Sequence, residues 1–320
     1  MSLDLSDTLV IGISATALFD LRDAQAFFAQ RQRDSAATAV ADYRAWMRER
    51  EELPLADGTG MPLVRALLAL NALQQPDEAP LVEVVVMSRN SPETGVAVFN
   101  NIRRLGLPVT RHAFTGGESV VDYLAAFDVG LFLTTHAQDA QRVIDEGNCA
   151  VALLREPPAD AAPVPAGQVR IAFDGDAVLF DESSELVYKT EGLAAFHRNE
   201  DAQRDVPMAE GPYAVFLRKL ARLQARMALL LPAGTPSPVR IAIVTARSAP
   251  AELRVINTLR HWGVEVDEVF FLGGLTKARI LKAFRPHIFF DDQDVHLDAA
   301  ARAVSSGKVP WRSDSPLKKG

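Results

Sequence analysis

The sequence predicts an α/β fold made of two tandem units, each a parallel sheet flanked by helices and interrupted by a helical insertion. Three features carry this. Short runs rich in Val, Ile and Phe alternate with helical patterns, one stretch of chain recurs 157 positions later, and polar residues stand where the apolar runs end.

The apolar runs are LVIGIS (9–14), VEVVVMS (82–88), VGLFLTT (129–135), VRIAFD (169–174), VRIAIVT (239–245), VDEVFFL (266–272) and HIFFDD (287–292). They are continuous rather than alternating, as expected of parallel strands covered on both faces. A helix is expected from Pro92 to Leu105, with Ser91 as its cap, Pro at the first helical position and Gly106 after its end. GPYAVFLRKLARLQARMALLL (211–231) reads as an amphipathic helix, and EPPADAAPVPAG (156–167) as a linker.

At an offset of 157, residues 91–135 align with 248–292 without a gap, and 13 of the 45 pairs are identical. Gly116-Gly117 falls on Gly273-Gly274, Gly106 on Gly263, Phe127 on Phe284 and Phe132 on Phe289. With small shifts, PLADG (54–58) resembles PMAEG (207–211), and LVIGISATALFD (9–20) resembles VRIAFDGDAVLF (169–180). The expected division is a first unit over 1–155, a linker over 156–168, a second unit over 169–310 with an insert at about 181–237, and a tail over 311–320.

Composition excludes several classes of function. With 320 residues, 48% apolar and 23% charged, the chain reads as globular. A net charge of −7 without a basic run argues against a nucleic acid polymer as partner. A single cysteine, Cys149, rules out an intrachain disulfide framework and reads as an inert thiol. The N-terminus MSLDLSDTLVIGIS lacks a basic region and a long apolar core, so no secretory signal is expected. No stretch approaches the length that spans a membrane, and a cytoplasmic protein is the expectation.

The chemistry concentrates in the second unit. Asp174 and Asp176 follow one strand, Thr245 ends another, Asp291 and Asp292 end a third, and Lys277 lies near the start of a helix. The carboxyl ends of parallel strands converge on one crevice, so these residues meet. Several carboxylates in one crevice repel one another unless a cation is present, and Mg²⁺, held by carboxylates, water and a substrate phosphate, fits that demand.

The order DxDxV, T, K, DD resembles the four motifs of the haloacid dehalogenase superfamily, carried here by FDGDAV (173–178), VT (244–245), Lys277 and FDD (290–292). The strings GISATALFDL, MSRNSPETGVAVFNNI, RHAFTGG, AFDGDAVLFDESSE, VTARSAPAELRVINTLRHWGVEVDE and FFLGGLTKARILKAFRPHIFFDDQ resemble the cytosolic 5′-nucleotidase type I family over nearly the whole chain. The resemblance implies two tandem haloacid dehalogenase-like Rossmannoid units. It implies hydrolysis of nucleoside 5′-monophosphates, AMP-like ones included, to nucleoside and phosphate. Asp174 would be the nucleophile, forming an aspartyl phosphate. Asp176 would act as acid and then base, Thr245 would hold a phosphoryl oxygen, and Lys277 would neutralise charge. The metal would be held by Asp174, by Asp176 through its carbonyl, and by Asp291 or Asp292, Asp291 being the first choice.

In that superfamily an insert between the first two motifs caps the site, so 181–237 is the expected cap. Phe196, His197 and Tyr213 are candidates to contact the base, with ordinary cap core as the competing reading for each. Ala246 and Arg247, next to the second motif, are further substrate-binding candidates. A phosphatase for other small phosphoesters and a nucleotide-binding protein with little turnover remain as alternatives, and the subunit count is open, a homo-oligomer included.

The repeat also predicts a silent first copy. Ser14 stands for Asp174, Thr16 for Asp176, Ser88 for Thr245, Val120 for Lys277 and Thr134-Thr135 for Asp291-Asp292. Such a copy should not hydrolyse phosphoesters. It is either a packing partner or, since the resembled family is activated by nucleotides, a regulatory nucleotide site lined by Ser14, Ser88, Arg89, Asn90 and Thr115.

Overall fold

Ten strands form one continuous sheet in a computed structural model that describes residues 5–76 and 78–319. Residues 1–4 of the N-terminal segment and Gly320 of the tail lie outside the described residues.

The strands are β1 (Leu9–Ser14), β2 (Val82–Ser88), β3 (Arg111–Phe114), β4 (Leu131–Thr134), β5 (Ala150–Leu154), β6 (Val169–Phe173), β7 (Val239–Thr245), β8 (Glu268–Phe271), β9 (Ile288–Asp291) and β10 (Ser306–Lys308). Their order across the sheet is β3-β2-β1-β4-β5-β10-β9-β6-β7-β8. Every neighbouring pair is parallel except β5 with β10. The first five strands therefore run opposite to the last five, and the carboxyl ends of the two runs face opposite edges of the sheet. In each run the first strand, β1 or β6, lies in the middle, where the strand order reverses and ligand crevices form.

All seven apolar runs form strands, trimmed by one to three residues in four cases. The expected helix 92–105 is shorter, Val96–Arg104, because residues 92–95 form a turn in which Ser91 Oγ accepts from the Thr94 N–H at 3.3 Å. Residues 156–168 carry neither helix nor strand.

Backbone features recur 157 residues apart. Left-handed φ angles occur at Gly106 and Gly263 (61° and 65°), Gly116 and Gly273 (63° and 55°), and Asp128 and Arg285 (54° and 53°). The last pair has side chains that seldom adopt this conformation, so the recurrence reflects two turns of one shape.

Of the segment 181–237, helices Ser183–Glu191 and Leu193–Ala202 pair with each other, as do Arg22–Asp34 and Ala39–Arg48 in the first half. The expectation that the 211–231 helix belongs to a cap needs correction. Helix Ala214–Leu230 buries Phe216, Leu217, Leu220, Leu223 and Met227 and packs against β1 of the other half, while Met61–Ala69 packs against β6. One apolar core thus runs through both halves. Each fully buried Leu or Phe there contributes roughly 1.5–3 kcal/mol. Cys149 is half-buried, and burial pushes its thiol up to about 12, which leaves it inert. Among the described residues no helix is long and apolar enough to cross a membrane.

Candidate active site

The site is assembled at the carboxyl ends of β6, β7 and β9. After β6 the chain makes a single tight turn, Gly175–Leu179, in which Asp176 is extended and Ala177 is left-handed at φ 58°. That turn lets Asp174 point into the crevice, with its N–H donating to the Phe290 carbonyl at 2.8 Å and its Oδ1 accepting from Gly175 N–H at 2.7 Å. Lys277 opens helix Lys277–Phe284 and is almost wholly buried, 2% exposed. Its ammonium lies 2.8 Å from Asp174 Oδ1 and 2.7 Å from Asp291 Oδ2.

Asp174, Asp291 and Asp292 each bring a carboxylate oxygen within 4.8 Å of the others, all three buried. One ammonium cannot neutralise three carboxylates. Burial pushes Asp174 up to about 6, against the pull of Lys277. Burial, with repulsion from Asp174 and Asp291, pushes Asp292 up to about 8. The two members of the Asp-Asp pair differ in their partners. Asp291 has both oxygens engaged, Oδ2 by Lys277 and Oδ1 by the Gln293 N–H at 2.8 Å. Asp292 Oδ2 accepts from the Trp311 indole N–H at 2.7 Å, but its buried Oδ1 has no hydrogen-bond partner among the described residues. A buried carboxylate oxygen without a donor is a group that suits a cation as partner. The donor set is all oxygen, the kind a hard divalent ion takes.

Asp176 lies outside that trio. Both its oxygens accept from Arg247, at 2.8 Å from Nε and 2.6 Å from Nη2. Arg247 also pairs with Glu200, and Glu200 accepts from Arg254 and from Ser184 Oγ, each at 2.8 Å. Glu200 and Thr245 are at most 1% exposed, and Arg247 4%. A buried, alternating ionic chain therefore links Asp176 through the β7 loop to helix Leu193–Ala202. Thr245 Oγ1 accepts from the Arg247 N–H at 3.2 Å.

Of the substrate-contact candidates, Phe196 is buried with the Arg247 guanidinium 5.3 Å from its ring centre. His197 is half-buried beside it, its Nε2 without a hydrogen-bond partner among the described residues. Ala246 is exposed at the turn. Tyr213 does not join them. It is 0% exposed, among the rings of Phe173, Phe216 and Phe290, because it leads into the buried helix Ala214–Leu230.

Glu200, Arg254, Glu185 and Trp311 were missed. The first three look like ordinary charges on amphipathic helices, and nothing local distinguishes them. Glu185 is pushed up by burial and by the nearby Asp176, which places it at the rim of the site. Trp311 carried a usable signal, a large aromatic in a polar tail.

The first half carries a cavity of about 630 Å³ at the carboxyl ends of its own strands, lined by Ser14, Thr16, Ser88, Arg89, Asn90 and His136, with Phe28 and Tyr43 on the helix side. Thr115 is not among its lining residues; its hydroxyl donates to the Glu118 carbonyl at 2.5 Å. The predicted substitutions leave neutral hydroxyls here, with Thr16 and Thr135 in contact at 2.5 Å and Ser14 and Thr16 at 3.1 Å.

A model of the 5′-nucleotidase family matches residues 1–316. A human protein named cytosolic 5′-nucleotidase 1B is 36% identical over 307 residues, covering 93% of this chain and 48% of its own length. The chain thus spans about half the length of the curated relative it matches. No solved structure matches it.

Proposed function

Given that the chain belongs to the 5′-nucleotidase family, we propose that it hydrolyses nucleoside 5′-monophosphates to nucleoside and phosphate through an aspartyl phosphate on Asp174, with Mg²⁺. The observation that carries this reading is the buried trio Asp174, Asp291 and Asp292 around Lys277, with one carboxylate oxygen left free. The name of the human relative supports the substrate class, and its word "cytosolic" supports a cytoplasmic location.

Asp174 and Asp292 are the carboxylates suited to the metal, with the Asp176 carbonyl joining them on the superfamily pattern. Asp292 replaces Asp291 as the expected ligand, because both oxygens of Asp291 are already committed. Mg²⁺, when bound, offsets negative charge on the nucleophile and on the phosphoryl oxygens. The Asp174 carboxylate attacks phosphorus, and the bond to the 5′-oxygen breaks. Lys277 and Thr245 hold the equatorial oxygens. Asp176 gives its proton to the leaving alkoxide, then takes one from the water that cleaves the aspartyl phosphate. An entering phosphate competes with Asp176 for Arg247.

The recurrences at 157 residues and the mirrored strand order support two tandem haloacid dehalogenase-like units, 1–155 and 169–310, joined by 156–168. Only the second is catalytic. The first-half cavity favours a second role there, a regulatory nucleotide site, which calorimetry with ADP or GTP on Asp174→Asn would detect as binding that substrate does not displace.

The deciding measurement is phosphate release from a panel of nucleoside monophosphates and sugar phosphates, with and without Mg²⁺. AMP, IMP or dCMP should be cleaved fastest, and only with the metal. Faster release from sugar phosphates would overturn the substrate class, and turnover indifferent to chelator would overturn the metal.

A further inference from the structure

The end of the second unit and the expected tail, 311–320, run past the Asp291-Asp292 pair. Val309 is fully buried and its N–H donates to the Asp291 carbonyl at 2.9 Å. Two residues on, the Trp311 indole N–H donates to Asp292 Oδ2 at 2.7 Å. The Lys189 ammonium of helix Ser183–Glu191 lies 5.1 Å from the Trp311 ring centre.

Beyond Trp311 the segment is anchored on the first half through Gln141 and Asp145 and on the second through Glu182. The Trp311 carbonyl accepts from Gln141 Nε2 at 3.0 Å. Asp145 accepts from both Ser313 N–H (2.6 Å) and Ser313 Oγ (2.7 Å). Ser315 Oγ donates to Glu182, and Leu317 is buried. Gln141 and Asp145 belong to helix Ala137–Glu146, whose amino end, His136 and Asp139, lines the first-half cavity.

We infer that Trp311 is a positioning residue of the metal site: its indole N–H holds Asp292 with Oδ1 free for the cation, and the segment 309–317 fixes that indole by bonds to the first half. This rests on the reading of Asp174 and Asp292 as metal ligands. The physical basis is specific. Indole is a donor only, so it can engage one carboxylate oxygen without competing for the metal. Asp292 has no other hydrogen-bond donor among the described residues, so Trp311 supplies the one polar contact that orients its buried carboxylate. Groups that orient metal ligands in this way typically change metal affinity by about 10–100-fold when removed.

The test uses the full chain and Mn²⁺ as a spectroscopic substitute for Mg²⁺, with free Mn²⁺ counted by electron paramagnetic resonance. Trp311→Phe keeps the ring and its packing but removes the donor. It should weaken Mn²⁺ binding by about 10–100-fold while its melting temperature in chelator stays near that of the parent. A dissociation constant within twofold of the parent in a folded variant overturns the inference. Should Trp311→Phe not fold, Asp145→Ala decides, since it releases the Ser313 anchor at a distance from the site. Weaker Mn²⁺ binding in that variant supports the inference, and unchanged binding overturns it. Asp292→Asn separates the two levels of the claim. If Asp292→Asn loses Mn²⁺ and Trp311→Phe keeps it, the metal reading stands and the role of Trp311 falls. If the parent chain binds no Mn²⁺, both fall.

Discussion

Ser88 and Thr245 each end a strand with a hydroxyl that accepts the N–H two residues on, at 3.1 and 3.2 Å. Thr134 and Asp291 do the same for His136 and Gln293, at 3.0 and 2.8 Å. Gly116 donates to the Asn90 carbonyl as Gly273 donates to that of Arg247, both at 3.1 Å. The two crevices therefore share their turns but not their charge. In the first half Ser14 and Thr134 accept from the Ala17 and His136 N–H groups, and Thr16 and Thr135 bond to neighbouring hydroxyls, so these four positions carry no charge. In the second half Asp174, Asp291 and Asp292 stand in the same places at the expense of burying three carboxylates against one lysine. The first half shows that the turns do not need carboxylates. The second half holds them against their own desolvation, which is the signature of a group kept for chemistry.

The comparison breaks most decisively at the nucleophile. Asp174→Asn should lower kcat by about four to six orders of magnitude, as removal of a nucleophile does, while Ser14→Ala leaves turnover unchanged. Steady-state phosphate release checks this, and equal losses would mean that the first half takes part in catalysis.

Next in size is the lysine. Lys277→Met strips the partner from two buried carboxylates and should destabilise the metal-free protein by about 3–5 kcal/mol in urea denaturation. Val120, its counterpart, is buried without any charge to balance.

A smaller effect comes from His287, whose counterpart is Gly130. Burial pushes this imidazole down to about 4, and its Nδ1 accepts from the Arg170 N–H at 3.0 Å. The unfolded chain takes up the proton near pH 6.5 and the folded one only near 4. Stability is therefore full above pH 6.5 and falls as pH drops toward 4, by about 3 kcal/mol in all. Denaturant midpoints for the parent and His287→Gln, taken between pH 7 and 4, should diverge in that window. Parallel curves would remove His287 from the account.

Much of the fold was legible because buried parallel strands leave an unambiguous mark. β2 and β7 coincide with VEVVVMS and VRIAIVT to the residue. β3, β5 and β10 escaped for different reasons. RHAF is a half-buried edge and SGK has no apolar pattern at all, whereas AVALL is as long and as apolar as β6 and was simply overlooked. β10 pairs through its backbone, and Gly307 is needed because a Cβ there would come within 2.8 Å of the Ala152 Cβ. Arg247 was named as a substrate contact, but its hold on Asp176 was not visible, since residues 71 apart share no pattern. Tyr213 was misplaced because an amphipathic stripe does not say which neighbour it faces, and Ala214–Leu230 faces the other half of the sheet.

By itself the sequence determined seven of the ten strands, the repeat and the polar residues at the strand ends, because apolar continuity and residue type are local properties carried by the chain. Only the tertiary structure decided how the halves join, back to back through β5 and β10, and which carboxylate of the Asp-Asp pair keeps a free oxygen. Those outcomes depend on donors that arrive from far along the chain, Lys277 for one aspartate and Trp311 for the other, and such meetings exist only once the core has closed.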